Sequence, residues 1–329
     1  RQMCIRDRLT TVFLSIVILC FQSCSSSGPK QSRDAELAQH TELAEHFPNE
    51  DNEIPAPDCH VERNCTGSPT TEQEMNTGIC EGDYFIENEG ELLEISSCTQ
   101  ISGDLLIASP TLAQFNLPHL VAIGGSLYVY DNTLLADLQG LGSIRSIGNH
   151  IKIQNNPTLR SLDGLDRLSH VEGDLDVIEN HNLINVEGLR FLYSIEGRLK
   201  IANNKALQDI DGLESLTSVG GSLNILGNPL IEDLYGLEYL ESVGQNGLHT
   251  KNLEIMYNSE LHNIEGLFNI TIISGNLQIE GNSHLESLQG LENITRIEQN
   301  LLIIDKSKLA TCEAENMASH IESVDGVEG

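Results

Sequence analysis

From Ile123 to Arg296 the apolar residues fall at fixed offsets, and the offsets recur. Ile147–His170, Val171–Ser194, Ile195–Ser218 and Val219–Ser242 are consecutive blocks of 24 residues, and Ile123–Ser146 and Ile273–Arg296 keep that length on either side. Val243–Ile272 is stretched to 30 by residues around Gly244–Asn252. A period in this range marks a solenoid of stacked units. Take as position 0 the residues Leu127, Ile151, Leu175, Leu199, Leu223, Leu253 and Leu277. Position +2 is then Val129, Ile153, Val177, Ile201, Ile225, Ile255 and Ile279. This alternation predicts a very short strand with one face inward. Further aliphatic columns stand at +8, +11, +14, +17 and +20, which in one unit are Leu183, Val186, Leu189, Leu192 and Ile195. Seven buried aliphatic side chains do not offset the entropy of ordering a whole unit. The units therefore fold only as an array, sharing their faces and their backbone hydrogen bonds.

Two polar columns are as regular as the apolar ones. Position +5 is asparagine in seven units: Asn132, Asn156, Asn180, Asn204, Asn228, Asn258 and Asn282. Position +13 is glycine: Gly140, Gly164, Gly188, Gly212, Gly236, Gly266 and Gly290. Catalysis needs one constellation rather than seven copies, so the asparagines read as a structural ladder, each amide bonding the bend that ends its strand or the next amide. The glycines read as bends with φ > 0 or as points of close backbone approach. Each stands alone in its unit, so they form no phosphate-binding loop.

The flanking sequence is different. Leu9–Phe21 is a 13-residue apolar run behind Arg6 and Arg8, followed by Ser23, Cys24 and three serines. Its length suits a signal peptide and is short for a membrane span. Residues 1–24 resemble a bacterial lipoprotein signal, although Phe21 and Gln22 replace the usual aliphatic and small residues. The resemblance implies a lipid on Cys24; the other reading is an ordinary secretory signal cut nearby. Residues 25–79 read as a solvated acidic tether with a small loop closed by Cys59 and Cys65 if these pair. The sequons at Asn64, Asn269 and Asn293 matter only in a eukaryotic secretory path.

Cys80 and Cys98 enclose a pair of short apolar stretches and precede Ile101-Ser-Gly-Asp-Leu-Leu-Ile107. This opening and the repeat resemble the receptor L-domain family, whose solenoid is capped by a disulfide. The next leucine comes three residues after the asparagine (Asn180 to Leu183), whereas ordinary leucine-rich repeats place it two after. The resemblance covers Cys80 to about Ala318. It implies an all-β fold: a right-handed β-helix or leucine-rich-repeat-like solenoid of about nine turns, with a Cys80–Cys98 N-cap and a short C-terminal capping helix. The expected layout is a solenoid over 80–329, with the N-cap at 80–100, repeats at 101–304 and the C-cap at 305–329. Lys306 replaces the ladder asparagine, and Leu309–Ile321 reads as the capping helix, with Leu309, Cys312, Met317 and Ile321 facing the last turn. Cys312 is left without a partner, either buried as a thiol or paired with a cysteine lost beyond Gly329. The chain lacks a cysteine-rich module and a kinase, so growth-factor binding does not carry over.

A net charge of −31 argues against nucleic-acid partners and against direct adsorption to anionic membrane. Cysteines grouped at the ends of the fold suit an oxidising compartment. No Gly-x-Ser-x-Gly, Walker, HExxH or CxxC motif occurs, and His181, His249, His262 and His284 read as solvated. No catalytic residue, metal ligand or cofactor is assigned. What remains is surface: strand positions +1 and +3 should face solvent. Tyr128, Tyr130, Ile178, Leu226, Met256 and Tyr257 are then candidates for an apolar strip that contacts a protein or glycan. The competing reading is that the tether or the long turn covers this face. Two function classes follow. One is a surface-anchored binding or adhesion module, held to the membrane only through its lipid, with a secreted ectodomain of the eukaryotic receptor type as its alternative. The other is a structural envelope component without a discrete ligand.

Overall fold

The computed structural model describes the backbone of residues 17–18 and residues 78–244, 251–304 and 309. The chain is a nearly all-β solenoid of about nine turns, its strands stacked in parallel. Ten long strands, from Tyr84–Ile86 through Leu105–Ile107 and Leu127–Tyr130 to Leu301–Ile304, stack in chain order. Each residue pairs with its equivalent one turn later, as in Leu175 with Leu199 and Val177 with Ile201. Across the stack a second wall is made of two-residue strands. Ile79–Cys80 to Ser146–Ile147 form four of these, and His170–Val171 to Arg296–Ile297 form six. A further two-residue strand, Val17–Ile18, pairs in parallel with Leu302–Ile303. It lies in the segment expected to be a cleaved signal, which would make it a feature of the precursor alone.

The seven predicted apolar columns form one continuous core. Leu175, Val177, Leu183, Val186, Leu189 and Leu192 are fully buried, and Ile195 is nearly so. Apart from Phe115, the described core is built from aliphatic side chains and Cys98. Branched aliphatics suit this design because identical side chains one strand spacing apart, roughly 4.8 Å, interlock without the volume changes rings would force. The six extra residues of the long turn do not disturb the register, since Leu253 pairs with both Leu223 and Leu277.

Between the walls each turn passes through a tight bend. In five turns it is a short 3-10 helix: Gln139–Leu141, Glu187–Leu189, Asp211–Leu213, Tyr235–Leu237 and Glu265–Leu267. The +13 glycine sits in it for steric reasons. A Cβ on Gly188 would stand 2.1 Å from the Leu162 carbonyl oxygen of the preceding turn. Gly212, Gly236 and Gly266 meet the equivalent carbonyl as closely. Close approach is thus the rule in this column. Positive φ appears only at Gly164 and Gly290, where the bend is not 3-10 and the glycine N–H is held by Asp166 or Glu292.

At the N-terminal end, Glu89–Glu94 forms a one-and-a-half-turn helix with Asn88 and Glu91 as a capping box. Cys80 and Cys98 form the expected disulfide, their Cα atoms 5.7 Å apart. Lys306, Cys312 and the rest of the predicted C-terminal helix lie outside the described residues, as do Cys24, Cys59 and Cys65.

Candidate functional site

The asparagine ladder is wholly internal. Each of the seven side chains is inaccessible to solvent. In a typical rung, Asn204 Nδ2 donates to the Val177 carbonyl at 2.9 Å and to Asn228 Oδ1 at 3.3 Å, while its own Oδ1 accepts the Asn180 N–H at 2.9 Å. Donor and acceptor capacity are spent on the neighbouring turns, so no amide is free for a ligand. The ladder begins with Ser109, whose N–H donates to Asn132 Oδ1 and whose hydroxyl donates to the Glu87 carbonyl.

Three further columns, not singled out in the sequence, have the same structural character. The residue before each ladder asparagine has positive φ: Asp131, Asn155, Glu179, Asn203, Gly227, Tyr257 and Gly281. Asp, Asn and Gly tolerate this conformation, so five of the seven identities follow from it. Position +10 is Asp, Ser or Asn throughout (Asp137, Ser161, Asn185, Asp209, Asp233, Asn263, Ser287). Each side chain accepts the N–H two residues on, at the start of the bend. Position −1 caps from turn to turn. Asp104 accepts from Ser126 N–H, His150 Nδ1 from Asp174 N–H, Asp174 from Arg198 N–H and Asn252 from Asn276 N–H. Many of the polar groups that resemble candidate chemistry are therefore backbone caps.

The long-strand face, where the apolar strip was expected, is more closed than strand alternation suggests. Tyr128, Tyr130, Ile178 and Met256 lie on it half-buried. Leu226 is only 9 % exposed and does not belong to an exposed strip. Ala202, flanked by Ile178 and Leu226, is buried too. Tyr257 belongs to the positive-φ bend rather than the strand. Its ring lies where a side chain on Gly281 would be, and its hydroxyl donates to Glu280 at 2.6 Å. Burial and that carboxylate push the phenol up to about 12. Gly281 leaves room for the ring, which gives Tyr257 a packing role.

Position +1, expected to be uniformly solvent-facing, contains two buried polar residues, Asp176 and Asn224. Asp176 accepts from the Arg198 guanidinium at 2.9 and 3.3 Å and stands between Lys152 and Lys200 on the adjacent strands. Burial nonetheless raises its pKa, with Arg198 opposing the shift. Asn224 donates to Glu254 at 2.7 Å. Arg198 neutralises Asp176 and Asn224 hydrogen-bonds Glu254, and among the described residues no His, Cys, Asp and Glu group converges in a way that could hold a metal.

Two of the sequons have a structural use. Asn269 Nδ2 donates to the Glu238 carbonyl and Asn293 Nδ2 to the Phe268 carbonyl, so each amide nitrogen that glycosylation modifies is already bonded; Asn64 lies outside the described residues. His181 and His284 sit exposed, each with a ring nitrogen against a backbone carbonyl.

The most exposed aromatic side chains lie elsewhere. Phe191, Tyr193, Tyr235, Tyr239 and Phe268 are 45–57 % exposed and occupy the bend and its approach to the short-strand wall. The aliphatic core made them detectable: where the described interior holds a single ring, Phe115, an aromatic residue outside the strands points to the surface. The protein matches no protein-family model and no curated protein.

Proposed function

We propose that this protein is a non-catalytic binding module, exported and held at a cell surface through a lipid on Cys24, that engages a protein or glycan through its long-strand face. The observation that supports this most directly is the half-exposed set Tyr128, Tyr130, Ile178 and Met256 on a sheet whose backbone is fixed by the asparagine ladder. Such a surface is pre-organised and loses little conformational entropy on binding. The spending of the repeated polar groups on backbone caps favours binding over catalysis, and the resemblance to receptor L-domains points the same way.

The test is a saturation-binding titration of wild type and Ile178→Ser/Met256→Ser against a glycan array and a panel of cell-surface ectodomains. Saturable binding lost in the double variant, with the circular-dichroism melt unchanged, supports the reading. Equal binding by both proteins removes the strand face from it. Absence of any saturable binder favours the structural envelope component. For the anchor, intact mass of the membrane-fraction protein should show an acyl adduct that disappears in Cys24→Ser.

A further inference from the structure

The exposed aromatic residues on the bend side are embedded in negative charge. Phe191 and Tyr239 share one column, two turns apart and roughly 9.6 Å from one another, with Ser215 between them. Tyr193 flanks Phe191, and Phe268 of the next turn flanks Tyr239. Glu187, Asp211, Glu214, Glu241 and Glu265 are exposed in the same bends. From residue 206 to 250 the sequence contains seven acidic residues and no Lys or Arg. At the margin of the patch one example of the implied contact already exists: the Arg190 guanidinium lies over the Phe191 ring, 5.1 Å from its centre, while bonded to Asp166 at 2.8 Å. Partial desolvation first, and then the neighbouring Asp209, Asp233, Glu187 and Glu214, raise the pKa of Asp211.

Nothing in the solenoid requires rings here. In the column of Phe191 and Tyr239, four of the other five residues are small and polar and cap a carbonyl of the preceding turn: Ser143 to Pro118, Ser215 to Arg190, Asn269 to Glu238 and Asn293 to Phe268. The fifth, Arg167, is an exposed cation at the edge of the patch, one turn before Phe191. At both positions an exposed apolar surface stands in place of a local hydrogen bond. Rings spaced along a carboxylate-rich wall are suited to guanidinium and ammonium groups, which stack on the ring face and pair with the acid beside it.

We propose that the bend-side face from Phe191 to Phe268 is a docking surface for an arginine- and lysine-rich segment of a partner protein. Aromatic rings would take the side-chain cations, and the flanking carboxylates would neutralise them. This is a second surface, on a different wall from the long-strand face, and it stands whether or not that face binds anything.

The experiment is fluorescence anisotropy of labelled deca-arginine and deca-lysine peptides against the full chain at physiological salt, with deca-glutamate as the control. The aromatic variant is Phe191→Ser/Tyr239→Ser; serine reproduces the capping residue of the same column, so the melt should match wild type. The charge variant is Glu214→Gln/Glu241→Gln, and the remote-charge control is Glu81→Gln/Glu94→Gln. The expected results are tighter binding of deca-arginine than deca-lysine and a roughly fivefold to thirtyfold loss in the aromatic variant, from two cation–π contacts. A comparable loss with a shallower salt dependence is expected in the charge variant, and less than a twofold change in the remote control. The proposal is overturned if the aromatic variant binds as wild type does, or if the remote pair weakens binding as much as the local pair. In either case the peptide would be responding only to net charge. Circular dichroism of each variant separates these outcomes from misfolding, and a second aromatic variant, Tyr239→Gln, repeats the test if Phe191→Ser lowers the melt.

Discussion

Replacing one rung of the ladder tests the central structural claim. In Asn204→Ala the Asn180 N–H, buried and previously bonded to Asn204 Oδ1 at 2.9 Å, loses its acceptor. An orphaned buried donor costs about 1–3 kcal/mol, and the two hydrogen bonds donated by Asn204 Nδ2 contribute ~0.5–1.5 kcal/mol each, for a total of roughly 2–6 kcal/mol. Asn204→Asp separates the two halves of this loss. Its carboxyl still accepts from Asn180, but an ionised carboxylate would face the Val177 carbonyl and Asn228 Oδ1 where the amide donated. Protonation restores a donor, so the folded-state pKa of the new aspartate is raised above its unfolded value near 3.9. The native state then binds more protons than the unfolded state. The penalty is absent below pH ~3.9 and grows as pH rises towards the folded pKa. Urea unfolding followed by far-UV circular dichroism at pH 4, 5.5 and 7 measures this, and amide exchange at Asn180 gives the local readout, because long arrays need not unfold in one step. The alanine penalty should be nearly independent of pH, while the aspartate penalty should shrink on acidification. A loss below ~1 kcal/mol in Asn204→Ala, or an aspartate variant that is most stable at pH 7, would refute the assignment.

Four other outcomes follow from the same geometry. Glu179 has a φ of 57°, a conformation that costs a glutamate more than an asparagine, so Glu179→Asn should stabilise by about 0.5–1 kcal/mol in the same urea assay. Gly188→Ala forces a Cβ against the Leu162 carbonyl and should cost ~1–3 kcal/mol or prevent folding, read as a lowered melting temperature. Joint replacement of Cys80 and Cys98 by alanine removes a cross-link spanning 18 residues, worth about 3 kcal/mol, and should raise amide exchange in the first turns before the middle ones. Burial raises the Asp176 pKa, so its ionised form opposes folding: the stability of wild type relative to Asp176→Asn should be highest below the unfolded aspartate pKa and fall as pH rises to the raised folded value, as paired urea titrations would show.

The sequence by itself determined the architecture, because the solenoid is written in residue identity. A leucine or isoleucine every few positions, an invariant Asn180-type residue and an invariant Gly188-type residue each recur where a stacked array must place them. Period, strand positions and core were therefore legible, and the Cys80–Cys98 disulfide came from the resemblance to receptor L-domains rather than from the repeat. The bend cap at +10 could also have been read, since Asp, Ser and Asn are interchangeable acceptors. The turn-to-turn cap at −1 was hidden because its acceptors, Asp104, His150 and Asn252, share their column with residues as different as Ser126 and Arg198. Tertiary structure alone decided exposure. Strand alternation places Leu226 and Asp176 outward, but a side chain between two neighbours one strand spacing away is sheltered by them, and Leu226 and Asp176 are buried. Conversely Phe191 and Tyr239, two turns apart in sequence, become neighbours across a carboxylate-rich wall only when the turns stack. A column of identities fixes which residues repeat; which of them water can reach depends on what the adjacent turns place beside them.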